Sequence, residues 1–285
     1  MHGGDSLSKP ENLYAVCNMP ELHKIRSTVF YLKSPRYWPH FVQRMKRYVQ
    51  PDLDTTDWQA KAVRWAEARA KPLNEVLFRF GLIGSEKSAI PRLDEQLLRA
   101  AERRAALSGC KMGGPGYLDL IYAATRLKTV DAAIETGVAY GWSSLAFLAA
   151  MAEADHGRLI SIDRPYPGAG NEPFVGIAVP DKFRGRWNII REPDRNGLRK
   201  AVLQFPDGID IAHYDSDKSY QGRQFGYPIL WNALKPGGLF ISDDIQDNMA
   251  FADFVEERGL RHSVVKANGK YIGLAIKSDG GLPRT

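Results

Sequence analysis

The stretch from Val130 onward constrains the fold most, because short apolar segments alternate there with longer helical ones. The apolar segments have strand composition and cover residues 132–135, 159–163, 187–191, 209–214 and 239–242. Helical patterns lie between or after them, at residues 142–154, 195–204, 220–234 and 249–258. Alternation of this kind predicts parallel strands joined by crossover helices. Two further apolar segments, 262–266 and 271–276, flank Asn268-Gly269, a strong signal for a hairpin turn.

The chain before residue 128 shows helical periodicity and no convincing β alternation. Asp57 is placed to cap a helix that carries Trp58, Ala62, Trp65 and Ala66 on one side. We therefore predict a helical N-terminal region over residues 1–110, acting as a lid or an oligomerisation surface, and a second domain over residues 111–285. The predicted fold class is α/β, with a Rossmann-like doubly wound, mostly parallel seven-stranded sheet that ends in an antiparallel hairpin.

Composition excludes several classes of protein. Hydrophobic residues make up 44% of the chain and charged residues 25%, as in ordinary globular proteins. No apolar run approaches the length of a membrane span, and the polar start suggests no secretory signal. The two cysteines, Cys17 and Cys110, are too few for a disulfide framework or a zinc site. We expect a cytoplasmic protein with no membrane partner.

The net charge of +6 comes from the first 110 residues, which hold 18 Lys/Arg and 12 Asp/Glu. Basic and aromatic residues interleave between Lys24 and Tyr48, a mixture that can bind single-stranded nucleic acid. Amphipathic helices with aromatic core positions explain the same mixture. A nucleic-acid partner is therefore not expected.

A glycine loop follows the first strand of the alternating region. It contains Gly137 and Gly141 and leads into a helix, whose free N-terminal amides suit an anionic group. Asp163 ends the second strand, where a carboxylate can accept both hydroxyls of a ribose. Loop and acid together predict a nucleoside cofactor.

Three carboxylates follow two later strands: Asp215 after the fourth, and Asp243 and Asp244 after the fifth. Neighbouring strand ends would bring them together, where they repel unless a cation intervenes. Ligation by oxygen alone favours Mg²⁺ or another hard divalent cation. The alternative is that these acids cap the helices that follow.

The loop, with Glu135 two residues before Gly137, resembles the first motif of the class I S-adenosylmethionine-dependent methyltransferases. The resemblance covers roughly residues 112–277. It implies that the methionine part of S-adenosylmethionine contacts Glu135, Gly137, Tyr140 and Ser143. It also implies that Asp163 binds the ribose, with adenine near residues 191–194.

The segment Asp215-Ser216-Asp217-Lys218 is similar to the D-x-D-K segment of cation-dependent O-methyltransferases that act on catechols and caffeoyl thioesters. That resemblance implies Asp215, Asp243 and Asp244 as metal ligands and Lys218 as a catalytic base, with a pKa lowered by the nearby cation. An acid at position 244, where that family commonly has Asn, looks more like the antibiotic sugar O-methyltransferases. The substrate is thus expected to be a catechol or a sugar diol.

The predicted function is cation-dependent O-methylation of a small molecule with adjacent oxygens, with S-adenosylmethionine and Mg²⁺ as cofactors and Lys218 and Asp215 as catalytic residues. One alternative is a metal-independent methyltransferase acting on RNA or another macromolecule. The other is a non-catalytic nucleoside-binding module. Residues 111–117 are a candidate lid, His213 is expected to pack beneath the site, and the N-terminal helices are a candidate homo-oligomer surface.

Overall fold

One mixed sheet carries the site, and its strands come from most of the chain. The structure is a computed structural model that describes residues 20–49, 53–167 and 170–278. The strands are β1 Ala70–Lys71, β2 Ala132–Thr136, β3 Arg158–Ile162, β4 Trp187–Ile190, β5 Ile209–Tyr214, β6 Leu234–Ser242, β7 His262–Ala267 and β8 Lys270–Ile276. Their spatial order is β1-β7-β8-β6-β5-β2-β3-β4.

The helices precede and separate these strands. They are α1 Pro20–Leu32, α2 Trp38–Val49, α3 Thr56–Glu67, α4 Leu73–Arg79, α5 Glu95–Ala106, α6 Leu118–Lys128, α7 Trp142–Glu153, α8 Asp181–Arg184, α9 Asp194–Val202, α10 Tyr220–Ala233 and α11 Ala250–Glu257. None of the helices in the described residues is both long and apolar enough to cross a membrane.

The sheet is parallel except at β8, which pairs antiparallel with both β6 and β7. The β7–β8 turn has positive φ at both central residues, 51° at Asn268 and 77° at Gly269. Asn and Gly tolerate this conformation, which matches the twist of the flanking strands. The predicted α/β class, the doubly wound sheet and the final hairpin are confirmed.

Helices cover both faces of the sheet, because successive strand residues point to opposite sides. In β2, Ala133 packs with the helices α4 to α7, whereas Ala132 and Ile134 pack with α9 to α11. Helix α7 is buried on most of its surface, which explains its apolar sequence. Because helices cover both faces of the sheet, a ligand can enter at the open edge that the strand ends form.

Three local predictions were wrong. The first part of the chain does contribute a strand, the two-residue β1, which pairs parallel with β7. Strand β6 begins at Leu234, so the Lys-Pro-Gly-Gly run lies inside it, next to a register irregularity opposite β5. Helix α3 is capped by Thr55, whose hydroxyl accepts from the Trp58 amide, and Asp57 lies in the first turn.

Candidate active site

A cavity of about 590 Å³ opens at the carboxyl ends of the parallel strands. Ligands bind at this edge in open α/β sheets. Among the described residues that line it are Gly137, Val138, Ala139, Ser143, Asp163, Asp194, His213, Asp215, Lys218, Asp243 and Lys270. Six of the nine residues predicted for the site are among them: Gly137, Ser143, Asp163, Asp215, Lys218 and Asp243.

The glycine loop forms one wall of the cavity by its backbone. Gly137 has a φ of +83°, and a Cβ atom there would lie 2.2 Å from the carbonyl oxygen of Asp215. Only glycine can occupy this position without moving the chain. The close contact sets the loop directly beside the end of β5, so that cofactor and acid regions share one cavity.

Glu135 is fully buried behind the loop. Its carboxylate accepts hydrogen bonds from Ser143 at 2.7 Å and Ser161 at 2.6 Å, and also from Ser144. These bonds tie β2 to the first turn of α7 and to β3. Of this group, Ser143 lines the cavity, whereas Glu135 supports the loop from behind.

Tyr140, like Glu135, is not among the described residues that line the cavity. Its hydroxyl donates to the Cys110 carbonyl and lies 2.7 Å from the Ser108 hydroxyl. The loop is thereby attached to the chain just before residues 112–117, which line the cavity as the candidate lid. Contact of Glu135 or Tyr140 with a cofactor stays a prediction.

Asp163 lies at the end of β3 with 4% of its side chain exposed. Its Oδ2 atom is 2.5 Å from Arg191 Nη1, and the Tyr166 hydroxyl donates to Oδ1 at 3.1 Å. Burial raises the pKa of Asp163, although Arg191 opposes that shift. A carboxylate held in place by two partners at the cavity wall is suited to binding a diol.

Asp194, at the start of α9, is an additional acid at the cavity, which the sequence placed only within the 191–194 segment expected near adenine. It accepts from the Ser216 hydroxyl at 2.5 Å, and the Tyr214 hydroxyl lies 3.4 Å away. Burial raises its pKa to about 6. Its place just after β4 was the signal, since strand ends carry the ligands in this architecture.

Two of the three predicted metal ligands, Asp215 and Asp244, are held by lysine side chains. Lys218 Nζ lies 3.1 Å from Asp215 Oδ1 and also contacts Asp244 Oδ2. Lys270 Nζ lies 3.0 Å from Asp244 Oδ1. Asp244 is thus enclosed by two ammonium groups and is not among the described residues that line the cavity.

His213 was expected beneath the site, but it lines the cavity. Its ring nitrogens lie 3.9 Å from Glu135 and 3.6 Å from Asp243, so it sits between two carboxylates. Burial alone would lower the pKa of His213, but the two carboxylates outweigh it and raise the pKa to about 10. The imidazole therefore adds positive charge to the cavity floor.

The lowered pKa predicted for Lys218 depends on a nearby cation and stays a prediction; the protein groups around Lys218 act in the opposite direction. Burial does lower the pKa, but the attraction of Asp215 and the hydrogen bond to Asp244 raise it above its ordinary value. A lysine held in this way stays protonated. It can orient or stabilise an oxygen, and it cannot accept a proton at neutral pH.

The donor set does not fit the predicted divalent cation. Mg²⁺ needs oxygen ligands at close to octahedral positions, with no competing positive charge between them. Here Lys218 lies between Asp215 and Asp244, and the described residues include no group of three His, Cys, Asp or Glu side chains arranged to hold a metal.

The N-terminal helices reach the cavity mouth. His40 of α2 lines the cavity, and the Tyr31 hydroxyl of α1 donates to the Pro165 carbonyl at 3.1 Å. The Asn196 side-chain amide donates to the Arg36 carbonyl at 2.7 Å. These contacts hold α1 and α2 against the segment that follows β3 and against α9.

Comparison with known proteins agrees with this geometry. Residues 134–245 match a family described as a methyltransferase domain. The fold is similar to the O-methyltransferase from Bacillus cereus in complex with SAH, at 12% identity and a TM-score of 0.50, over 65% of this chain and 92% of that one. It is also similar to TomG from Streptomyces achromogenes, an O-methyltransferase involved in tomaymycin synthesis and solved with SAM, at 17% identity and a TM-score of 0.50, over 72% and 97% of the two chains.

No curated protein matches the sequence significantly. The identities to the solved structures are low, so those structures establish the fold, while the family match covers the loop, Asp163 and the acids up to Asp244. Residues 134–245 therefore resemble a methyltransferase domain, and the chain shares the fold of solved O-methyltransferases.

Proposed function

We propose that the protein transfers a methyl group from S-adenosylmethionine to a hydroxyl of a small molecule with two adjacent oxygens, such as a catechol or a sugar diol. The O-methyltransferases of similar fold support the oxygen as acceptor. The observation that carries the proposal is Asp215, a carboxylate at the cavity whose own carbonyl touches the glycine loop at Gly137. The residue proposed as the proton acceptor thus lies directly beside the glycine loop.

The cofactor side of the cavity follows from the residues already described. Backbone amides near Gly137 can bind the methionine carboxylate, and the Ser143 oxygen, whose proton is donated to Glu135, can accept from the methionine amine. Asp163 can accept both ribose hydroxyls. Asp194 offers a further acceptor in the same cavity. When bound, S-adenosylmethionine supplies an electrophilic methyl group on a positive sulfur.

Asp215 is suited to take the proton of the acceptor hydroxyl. Burial raises its pKa to about 6, with Asp243 acting in the same direction and Lys218 against it. At neutral pH the carboxylate is therefore ionised but more basic than an exposed aspartate, which favours general-base catalysis.

Lys218 is suited to hold the second oxygen of the acceptor. Its ammonium, 3.1 Å from Asp215, can donate to one oxygen while Asp215 takes the proton from its neighbour. As the oxygen–carbon bond forms, the sulfur–carbon bond breaks, S-adenosylhomocysteine leaves and the proton stays on Asp215. Helices α1 and α2 are proposed as the lid over this reaction.

The test is methyl transfer from isotopically labelled S-adenosylmethionine to a panel of catechols and sugar diols, read by mass spectrometry. Asp215→Asn keeps the shape of the side chain but removes the base, so turnover should fall by roughly 10²- to 10⁴-fold. Cofactor affinity, measured by calorimetry, should change little. Asp207→Asn, at an exposed aspartate, is the matched control and should keep full activity.

Three outcomes would contradict the proposal. Equal turnover in Asp215→Asn and the parent protein would remove Asp215 from the mechanism. Cofactor binding without transfer to any hydroxyl would favour a nucleoside-binding module. Methylation of RNA, with binding that weakens steeply as salt increases, would favour a macromolecular substrate.

A further inference from the structure

The acid cluster at the ends of β5 and β6 concentrates negative charge in a small volume. Asp215, Asp243 and Asp244 lie on neighbouring strand ends, and buried carboxylates repel one another. Some positive charge must stabilise them. A divalent cation is one source and basic side chains are the other.

Asp244 has the most complete set of basic partners. Lys218 contacts its Oδ2 atom, and Lys270 lies 3.0 Å from Oδ1 and 3.2 Å from Oδ2. Gln246 also donates to Oδ1, at 3.2 Å. Both carboxylate oxygens therefore have nitrogen donors, and the side chain is 6% exposed.

The backbone of the same turn is fixed from below by a buried arginine. Arg223 is fully buried on α10 and donates to the carbonyl oxygens of Asp243, at 3.2 Å, and Asp244, at 2.7 Å. Asp244 has a φ of +51°, a conformation that non-glycine residues rarely adopt. The guanidinium holds this turn in place, with the Asp244 carboxylate toward the two lysines.

We infer that Lys218 and Lys270 take the place of a divalent cation in this site, so that Asp215 and Asp244 are paired with the chain's own ammonium groups and the acid cluster binds no Mg²⁺ or Mn²⁺. An ammonium is a compact charge with three donors, so it can bridge Asp215 and Asp244 as Lys218 does. A cation at that point would have to displace Lys218 and would then face two nearby positive charges. The inference about cation binding does not depend on the proposed function.

The experiment titrates Mn²⁺ into the purified protein and follows bound metal by electron paramagnetic resonance. The parent protein should show no saturable site up to millimolar Mn²⁺. The double variant Lys218→Met/Lys270→Met removes the lysine partners of Asp215 and Asp244 and should bind Mn²⁺ at least about tenfold more tightly, because two repelling charges are gone. Lys87→Met, at an exposed lysine, is the matched control and should behave like the parent.

Circular dichroism checks the fold of each variant. If the double variant does not fold, Lys270→Met alone serves, because that side chain is 53% exposed at the start of β8. The single variant should show a weaker gain in the same direction.

Tight Mn²⁺ binding by the parent protein would overturn the inference, and so would an absence of any gain in the folded variants. Methyl transfer by the parent should also survive excess chelator, and loss of transfer on chelation would count against the inference. If no acceptor is methylated at all, the proposed function fails, while the Mn²⁺ spectra still decide whether the lysines replace the cation.

Discussion

Two neighbouring parts of the cavity are built in different ways. On the cofactor side, the loop after β2 is positioned by backbone contacts, above all Gly137 against the Asp215 carbonyl. On the acid side, the positions of Asp215 and Asp244 depend on side-chain partners, two of them lysines. The cofactor side should therefore tolerate no change in the shape of its residues, and the acid side should tolerate no change in their charge.

The difference has a physical origin. A glycine loop works through amides and free space, which a short run of sequence specifies by itself. A cluster of acids has a charge that depends on every group around it, including groups from distant strands. Substitutions on the cofactor side and on the acid side should therefore have different effects.

The largest effect on the cofactor side is expected from Gly137→Ala. The added Cβ would lie 2.2 Å from a carbonyl oxygen, so the loop or the end of β5 must move. Overpacking of this kind costs about 1–3 kcal/mol, and S-adenosylmethionine affinity should fall roughly a hundredfold. Isothermal calorimetry measures the affinity.

Gly81→Ala is the matched control for that variant. Gly81 has a similar φ of +74°, but nothing lies within 4 Å of its added Cβ. It should therefore lower the melting temperature through backbone strain and leave cofactor affinity unchanged. Equal affinity loss in both variants would mean that strain, and not the close approach to Asp215, explains the effect.

A smaller effect is expected from Asp163→Asn, which keeps the shape but removes the charge that would bind the ribose. A hydrogen bond to a charged group contributes about 1.5–3 kcal/mol, so affinity for S-adenosylmethionine should fall roughly ten- to a hundredfold. Glu172→Gln is the control, because Glu172 is the other, half-exposed partner of Arg191. If both variants weaken binding equally, Asp163 acts by fixing Arg191 and not by binding the cofactor.

The parallel sheet, the glycine loop and the acids at strand ends could be predicted from the sequence, because each of these follows from local spacing. Strand β5 was predicted at its observed bounds, and the Asn268-Gly269 turn joins β7 and β8 as expected. The ribose-binding role of Asp163 was predicted from its place at the end of the second strand, and the structure does place Asp163 at the cavity.

What the sequence could not provide was the set of partners that come from far along the chain. Lys270 follows the hairpin turn and meets Asp244 only once β8 is paired with β6. In the sequence, Arg223 is an ordinary residue of a predicted helix. Only the structure shows that it is buried beneath the Asp243-Asp244 turn. The direction of the Lys218 pKa shift depends on its contacts with Asp215 and Asp244, which the sequence alone does not show.

Asp194 lies between the cofactor side and the acid side of the cavity. The smallest effect is expected from Asp194→Asn, which removes the charge of this side chain and keeps its shape. Its pKa is raised to about 6, compared with about 3.9 for an unfolded aspartate, so the folded protein bears the cost of a buried charge above that pH. The cost is relieved as the pH falls through 6 toward 4, since the folded state then takes up its proton first. Asp194→Asn should therefore melt a few degrees higher than the parent near about pH 8 and at the same temperature near about pH 4. Melting curves without cofactor, with Asp207→Asn as the exposed control, measure the difference, and a variant less stable than the parent at the higher pH would show that the fold uses the charge of Asp194.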